Sequence, residues 1–187
     1  MRRTTVVSVL TAAAIATLAA PAIAALPAPK NPEIKVPQSL GGVEVGMTVK
    51  SADKAWGGDG ADCHFVDNSS YCQYRQTGVA ENGDAYIGSD LEGNVSLAVI
   101  NSGLNKEGTG YVTKGPLKRF ETKEGLGLGD KASKIKKLYP KAKKLDHNRG
   151  YYVEGKGKSL MSFLATRNRS GARPRIFNIS ISDGLGE

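Results

Sequence analysis

The chain carries one glycine-punctuated pattern twice, and that repetition limits what it can fold into more than any other feature. GVEVGMTVKSADKAW (residues 42–56) and GLGLGDKASKIKKLY (residues 125–139) superpose with a shift of 83 residues. The shift places Gly42 on Gly125, Val43 on Leu126, Val45 on Leu128, Gly46 on Gly129, Ala52 on Ile135, Ala55 on Leu138 and Trp56 on Tyr139. All of these matched positions are glycine or apolar. Such positions set a backbone and a core, so the repetition is of structure rather than of chemistry.

Each motif runs into a helical pattern. Val49, Ala52, Ala55 and Trp56, and then Ala132, Ile135, Leu138 and Tyr139, fall on one face of a helix. Thr48 and Asp130 stand where N-caps are expected, and Gly57-Gly58 and Pro140 mark the ends. Beyond each helix the pattern alternates, as in Ser96–Ile100 and Ile176–Ile181, with further strands around Tyr86 and Phe163. Glu81-Asn82-Gly83-Asp84, Glu92-Gly93-Asn94 and Arg169-Ser170-Gly171 supply turns. The expected fold is α+β, a tandem repeat of two modules, each a short helix or helical hairpin on a small antiparallel sheet. The expected division is a signal peptide over 1–25, a proline-rich linker over 26–39, a first module over 40–113 and a second, basic one over 114–187.

Arg2 and Arg3 precede an apolar run from Val6 to Ala20, and Ala22-Ile23-Ala24 offers a signal-peptidase site. The run is too short for a transmembrane helix, and no second span follows. The mature chain is therefore expected to be secreted. Pro27, Pro29, Pro32 and Pro37 favour an extended stalk ahead of the fold. Cys63 and Cys72 are the 2 cysteines, and in an oxidising compartment they are expected to pair.

Charge is divided unevenly. Residues 26–113 hold 6 Lys+Arg against 11 Asp+Glu (−5), whereas residues 114–175 hold 18 against 5 (+13). Lys134, Lys137, Lys144, Arg149, Arg167, Arg169, Arg173 and Arg175 form a candidate polyanion-binding set, suited to wall polymers or lipid headgroups. Solvated lysines on an exposed helix are the plainer reading of the same residues.

Gly46-Met47-Thr48, the short helix ending at Gly57-Gly58, the cysteines and the Gly83-Asp84-Ala85-Tyr86 hairpin together resemble the first module of the β-lactamase inhibitory proteins. A related module occurs in small outer-membrane assembly lipoproteins of the BamE type. The resemblance implies a secreted tandem repeat whose sheets clamp a class A β-lactamase. It implies a first-module disulfide at Cys63 and Cys72. It also implies that Asp84 and Tyr86 lie on a hairpin entering the enzyme's active site, with Tyr71 near a contact position. As residues, Asp84 equally suits a turn, Tyr86 a strand and Tyr71 a cover for the disulfide. Asp146 and Gly155, the matching positions of the second repeat, carry no cysteine.

Catalysis is not expected. His64 and His147 lie one in each repeat, without a serine elbow, HExxH or paired carboxylates in a matching motif. Gly125–Gly129 lacks the Lys-Ser/Thr of a phosphate loop. No cofactor, metal or nucleic acid is expected. The sequence points to a non-enzymatic protein-binding module, with an unknown secreted or envelope protein as partner, and to inhibition of an extracellular enzyme as its sharper form. The alternative is an envelope protein that binds anionic cell-wall polymer through its basic repeat.

Overall fold

The computed structural model describes residues 25–57, 62–66, 69–75, 80–105, 110–112, 114–145, 150–157, 159–166 and 173–184. The expected export signal, apart from Ala25, lies outside them. In chain order the elements are β1 (Glu33–Lys35), β2 (Ser39–Leu40), α1 (Val49–Ala55), β3 (Asp62–Val66), β4 (Ser69–Arg75), β5 (Asp84–Ser89) and β6 (Val95–Asn101). They continue with β7 (Gly103–Leu104), β8 (Tyr111–Val112), β9 (Glu121–Thr122), α2 (Ser133–Leu138), β10 (Lys143–Lys144), β11 (Gly150–Glu154), β12 (Leu160–Thr166) and β13 (Arg175–Ser182). Short 3-10 turns cover Ala80–Asn82 and Pro116–Arg119.

This architecture corrects the expected α+β pair of modules. The protein is mostly β, its helices spanning 7 and 6 residues. Its principal sheet is a single antiparallel one of 8 strands in the order β10-β11-β12-β13-β6-β5-β4-β3. Strands β6 and β13 would each be the open edge of a separate four-stranded sheet, with a row of unpaired N–H and C=O groups. They pair with each other instead, Ile100 opposite Ile179 and Ala98 opposite Ile181. That pairing satisfies both edges and makes one apolar layer, since Ala98, Ile100, Ile179 and Ile181 are all fully buried.

The repeated glycine motif folds alike in both halves. Gly46 and Gly129 sit at φ of 84° and 86°, and Gly42 and Gly125 at 84° and 71°. The Gly46 N–H donates to Val95 O and the Gly129 N–H to Ile176 O, both at 2.8 Å. In return the Val95 N–H donates to Met47 O at 2.7 Å and the Ile176 N–H to Asp130 O at 2.8 Å. Each motif thus hooks onto the start of the last strand that its half contributes to the eight-stranded sheet. A Cβ on Gly46 would meet nothing within 4 Å, so its substitution tests backbone conformation alone. Gly46→Ala and Gly129→Ala are each expected to cost about 1 kcal/mol through the positive φ. Urea unfolding checks this, and neutrality at both sites would contradict the matched roles.

Helix α1 begins as expected, the Thr48 Oγ1 accepting from the Ser51 N–H at 3.3 Å. Helix α2 does not begin at Asp130. Its N-cap is Ala132, and the Asp130 carboxylate turns back to accept from the Gly127 N–H at 3.0 Å and from Lys134 at 3.1 Å.

The proline-rich stretch is no free stalk. Leu26 and Ile34 are buried in the core, and the Ala28 N–H donates to Trp56 O at 2.9 Å. Strand β1 pairs with β2 and, in parallel, with β9 of the second half. The prolines suppress regular hydrogen bonding but leave these apolar side chains free to dock.

Both helices and the three-stranded sheet contribute to one core cluster, in which Ile34, Leu40, Ala52, Trp56 and Ile135 pack with Tyr74, Ile87, Ile100 and Phe163. The Tyr74 hydroxyl donates to Asp53 Oδ1 of α1 at 2.6 Å. Burial, then this bond and the Asp53 charge, push the phenol well above its ordinary value. A tyrosine whose folded-state pKa is raised contributes stability in full below the unfolded value of about 10 and loses it as pH rises further. The urea midpoint is therefore expected to fall above about pH 10, and Tyr74→Phe to flatten that fall. An unchanged alkaline slope in Tyr74→Phe would contradict it.

Candidate functional site

Side chains alternate across a strand, so residues in register share a face of the sheet. The face toward the helices carries Cys72, Tyr74, Ala85, Ile87, Ala98, Ile100, Ile179, Ile181, Met161 and Phe163, all buried. The opposite face follows from register, in three rows. The middle row crosses from Lys143 of β10 through Tyr152, Ser162, Ser180, Val99 and Tyr86 to Gln73 of β4. One flanking row runs Glu154, Leu160, Ser182, Leu97, Gly88, Tyr71 and His64. The other runs Gly150, Leu164, Asn178, Asn101, Asp84 and Arg75.

The arrangement is graded. Over β12, β13 and β6 these three rows present leucine, valine, serine and asparagine without a charged side chain. Larger and charged groups stand to either side: Lys143, Tyr152 and Glu154 on one, Tyr71, Gln73, Arg75, Asp84 and Tyr86 on the other. The two tyrosines of the middle row are four strand spacings apart, about 19 Å. Val99, between them, is 1% exposed although it stands outside the core cluster.

The acidic side of this face is ordered by hydrogen bonds. Asn101 Nδ2 donates to Asp84 Oδ1 at 2.8 Å, and Asn178 Nδ2 donates to Asn101 Oδ1 at 2.7 Å. A carboxylate can only accept, so Asp84 dictates which way both amides point. The relay crosses β5, β6 and β13 and ends on Asn178 Oδ1, which is buried without a hydrogen-bond partner among the described residues. It therefore crosses the seam between the halves of the chain.

Tyr71 and Tyr86 lie diagonally across β4 and β5 with ring centroids 5.4 Å apart. Gly88, opposite Tyr71, supplies no side chain to hinder it. Tyr71 is 38% exposed. Burial and the Asp84 charge raise the Tyr71 phenol above its usual range, and burial, Tyr71 and Asp84 raise Tyr86. Both hydroxyls stay protonated at neutral pH and can donate to an incoming acceptor.

The structure brings Tyr71, Asp84 and Tyr86 onto one surface. Asp84 is not a turn residue but the first of β5, directly opposite Asn101. Cys63 and Cys72 form a disulfide between directly opposed residues of β3 and β4. The cationic set is more dispersed. Lys134 pairs with Asp130 and donates to Gly125 O, and Arg175 Nη1 donates to Gly129 O at 2.7 Å, so the fold uses both. Lys137, Lys144 and Arg173 are exposed. Arg149, Arg167 and Arg169 lie outside the described residues.

Sequence reasoning missed the middle of the face: Val99, Asn101, Tyr152, Ser162, Asn178 and Ser180. The alternation around Ser96–Ile100 and Ile176–Ile181 announces strands, but only register shows which side chains become neighbours.

Among the described residues no group of three or more His, Cys, Asp or Glu is placed to hold a metal ion, and no helix is long and apolar enough to cross a membrane. Comparison with protein-family models, curated proteins and solved structures finds no match.

Proposed function

We propose that the chain is a secreted, non-catalytic protein-binding module that engages its partner through the face of the eight-stranded sheet that lies away from the helices. The observation that carries this reading is the grading of that face. An uncharged middle of small and aliphatic side chains, bordered by tyrosines and charges, matches the anatomy of protein interfaces, whose centres are depleted in charge and whose rims are polar. The three rows span on the order of 500 Å² in plan, somewhat below the roughly 800 Å² per partner of a standard interface. Tyr71 and Tyr86 are the anchors, since paired aromatics supply contact area at small entropic cost. Asp84 and its amide relay supply directional acceptors. The export signal and the disulfide support an extracellular setting. In its sharper form the partner is a secreted enzyme, inhibited when bound.

The test is retention of the producer's secreted proteins and isolated cell wall on the immobilised chain, at low and high salt. A discrete protein retained at high salt is expected, with its retention lost in Tyr71→Ala/Tyr86→Ala. If that protein is an enzyme, its activity is expected to fall in the complex. Retention of wall material alone, abolished by salt, would instead favour polyanion binding through the basic half, because counterion release makes such binding steeply salt-dependent.

A further inference from the structure

A cleft of about 500 Å³ lies beyond the rows of the sheet face, at the Thr166–Arg175 end of β12 and β13, where the acidic and basic halves meet. Tyr111, Val112 and Ser102 reach it from the first half; Lys118, Glu121, Arg175 and Ile176 line it from the second. Its charges are not equally available. Lys114 is paired with Glu81, and Asp130 is occupied by Lys134 and the Gly127 N–H. Arg175 spends one N–H on Gly129 O, leaving most of its five donors uncommitted. Among the described residues, neither Lys118 nor Arg175 has an ion-pair partner. Glu121 is the one lining carboxylate likewise without one. The balance toward a ligand is therefore positive, and the surrounding segment, residues 114–175, carries 18 Lys+Arg against 5 Asp+Glu.

The rest of the wall is apolar, with Val112, Leu128, Ile176 and the Tyr111 ring, itself stacked on Phe177 at 4.3 Å between centroids. Cations on one side and a hydrocarbon wall on the other suit a ligand with the same two ends. We propose that this cleft binds a small amphipathic anion, its carboxylate or phosphate head on Arg175 and Lys118 and its apolar body against Val112, Leu128 and Ile176. Arg175 is the anchor because its guanidinium matches either head bidentately. The volume falls within the range of small-molecule sites. The site is independent of the sheet face, and neither reading requires the other.

Hexanoate and hexyl phosphate serve as probes, titrated into the full-length protein at matched ionic strength while backbone amide signals are followed by NMR. Saturable shifts at Gly129, Thr166 and Ile176 are expected, with inorganic phosphate weaker and hexyltrimethylammonium silent. The stronger of the two hexyl probes identifies the head group. Arg175→Gln is expected to weaken the stronger probe about tenfold, the size of a lost charge-assisted contact, and Glu121→Gln to tighten it. Should Arg175→Gln disturb the turn at Gly129, Lys118→Ala, an exposed residue outside the core cluster, carries the test and is expected to weaken binding at least about threefold. No saturable shift with either probe, or shifts indifferent to both Lys118→Ala and Arg175→Gln, would overturn the proposal.

Discussion

Replacing Trp56 by alanine is expected to bring the protein to the verge of unfolding. The residue is 1% exposed, and its indole stands edge-on to Tyr74 at 5.4 Å and to Phe120 at 6.0 Å between centroids. Its Nε1–H donates to Leu40 O at 3.0 Å. One side chain thus ties the end of α1 to β4 of the sheet, to β2 and to the 3-10 turn before β9. Truncating a buried aromatic costs about 3–5 kcal/mol, and loss of the indole hydrogen bond adds about 1 kcal/mol, Leu40 O keeping its other bond from the Val43 N–H at 3.2 Å. Against a total stability of about 5–15 kcal/mol, that loss removes most of the margin. Far-UV circular dichroism in urea is the appropriate readout, since the chain has 1 tryptophan and the substitution removes it. Trp56→Phe keeps ring packing but not the N–H, and is expected to fall between wild type and Trp56→Ala. A loss under about 1 kcal/mol in Trp56→Ala would show that the indole is not the junction described here.

The second large effect is expected at Gly83, immediately before the sheet face. Its φ is +78°, and an added Cβ would stand 2.0 Å from Asn101 O and 3.0 Å from Gly103 N, both backbone atoms. Backbone cannot swing aside as a flexible side chain can. Gly83→Ala therefore combines left-handed strain of about 1–2 kcal/mol with a displacement of β6, and about 3 kcal/mol or more is expected in total. The displaced residue is Asn101, the middle of the Asp84–Asn101–Asn178 relay, so partner retention is expected to suffer with stability. Gly46→Ala, with open space around its Cβ and a similar φ, is the matched control for strain alone. Equal costs at the two glycines, measured by urea unfolding, would contradict the close approach at Gly83.

What could be read from the sequence follows the range of the interaction. The glycine motifs, the start of α1 at Thr48 and the alternation in β6 and β13 are set by neighbours a few residues away, and they were legible. The pairing of β6 with β13 joins residues about 80 positions apart, such as Ile100 and Ile179. Nothing local distinguishes that strand pair from two separate edges, so two small sheets were expected where one large sheet exists. Proline count suggested a stalk because it reports backbone donors, whereas Leu26 and Ile34 dock through side chains. Asp130 has the chemistry of an N-cap but caps the Gly127 turn, a competition natural to short acidic side chains.

The site was legible to the same extent. Asp84 and Tyr86, two residues apart on one strand, had to share a face, and Tyr71 joined them through its hairpin. Their neighbours Val99, Ser180, Ser162 and Tyr152 come from strands whose order the sequence does not reveal, so the uncharged middle of the face could not be seen from it.

The most direct measurement places an obstacle on that middle. Ser180→Cys, on β13 between Ser162 and Val99, is labelled with a bulky maleimide; Lys50→Cys, exposed on α1 across the sheet, is labelled identically. Both are then offered the protein retained at high salt by the unlabelled chain. If the face is the interface, the label at position 180 abolishes retention and the label at position 50 leaves it intact. Retention undiminished by the label at 180, or the failure of the unlabelled chain to retain any protein at high salt, would contradict the assignment of the sheet face as a protein-binding surface.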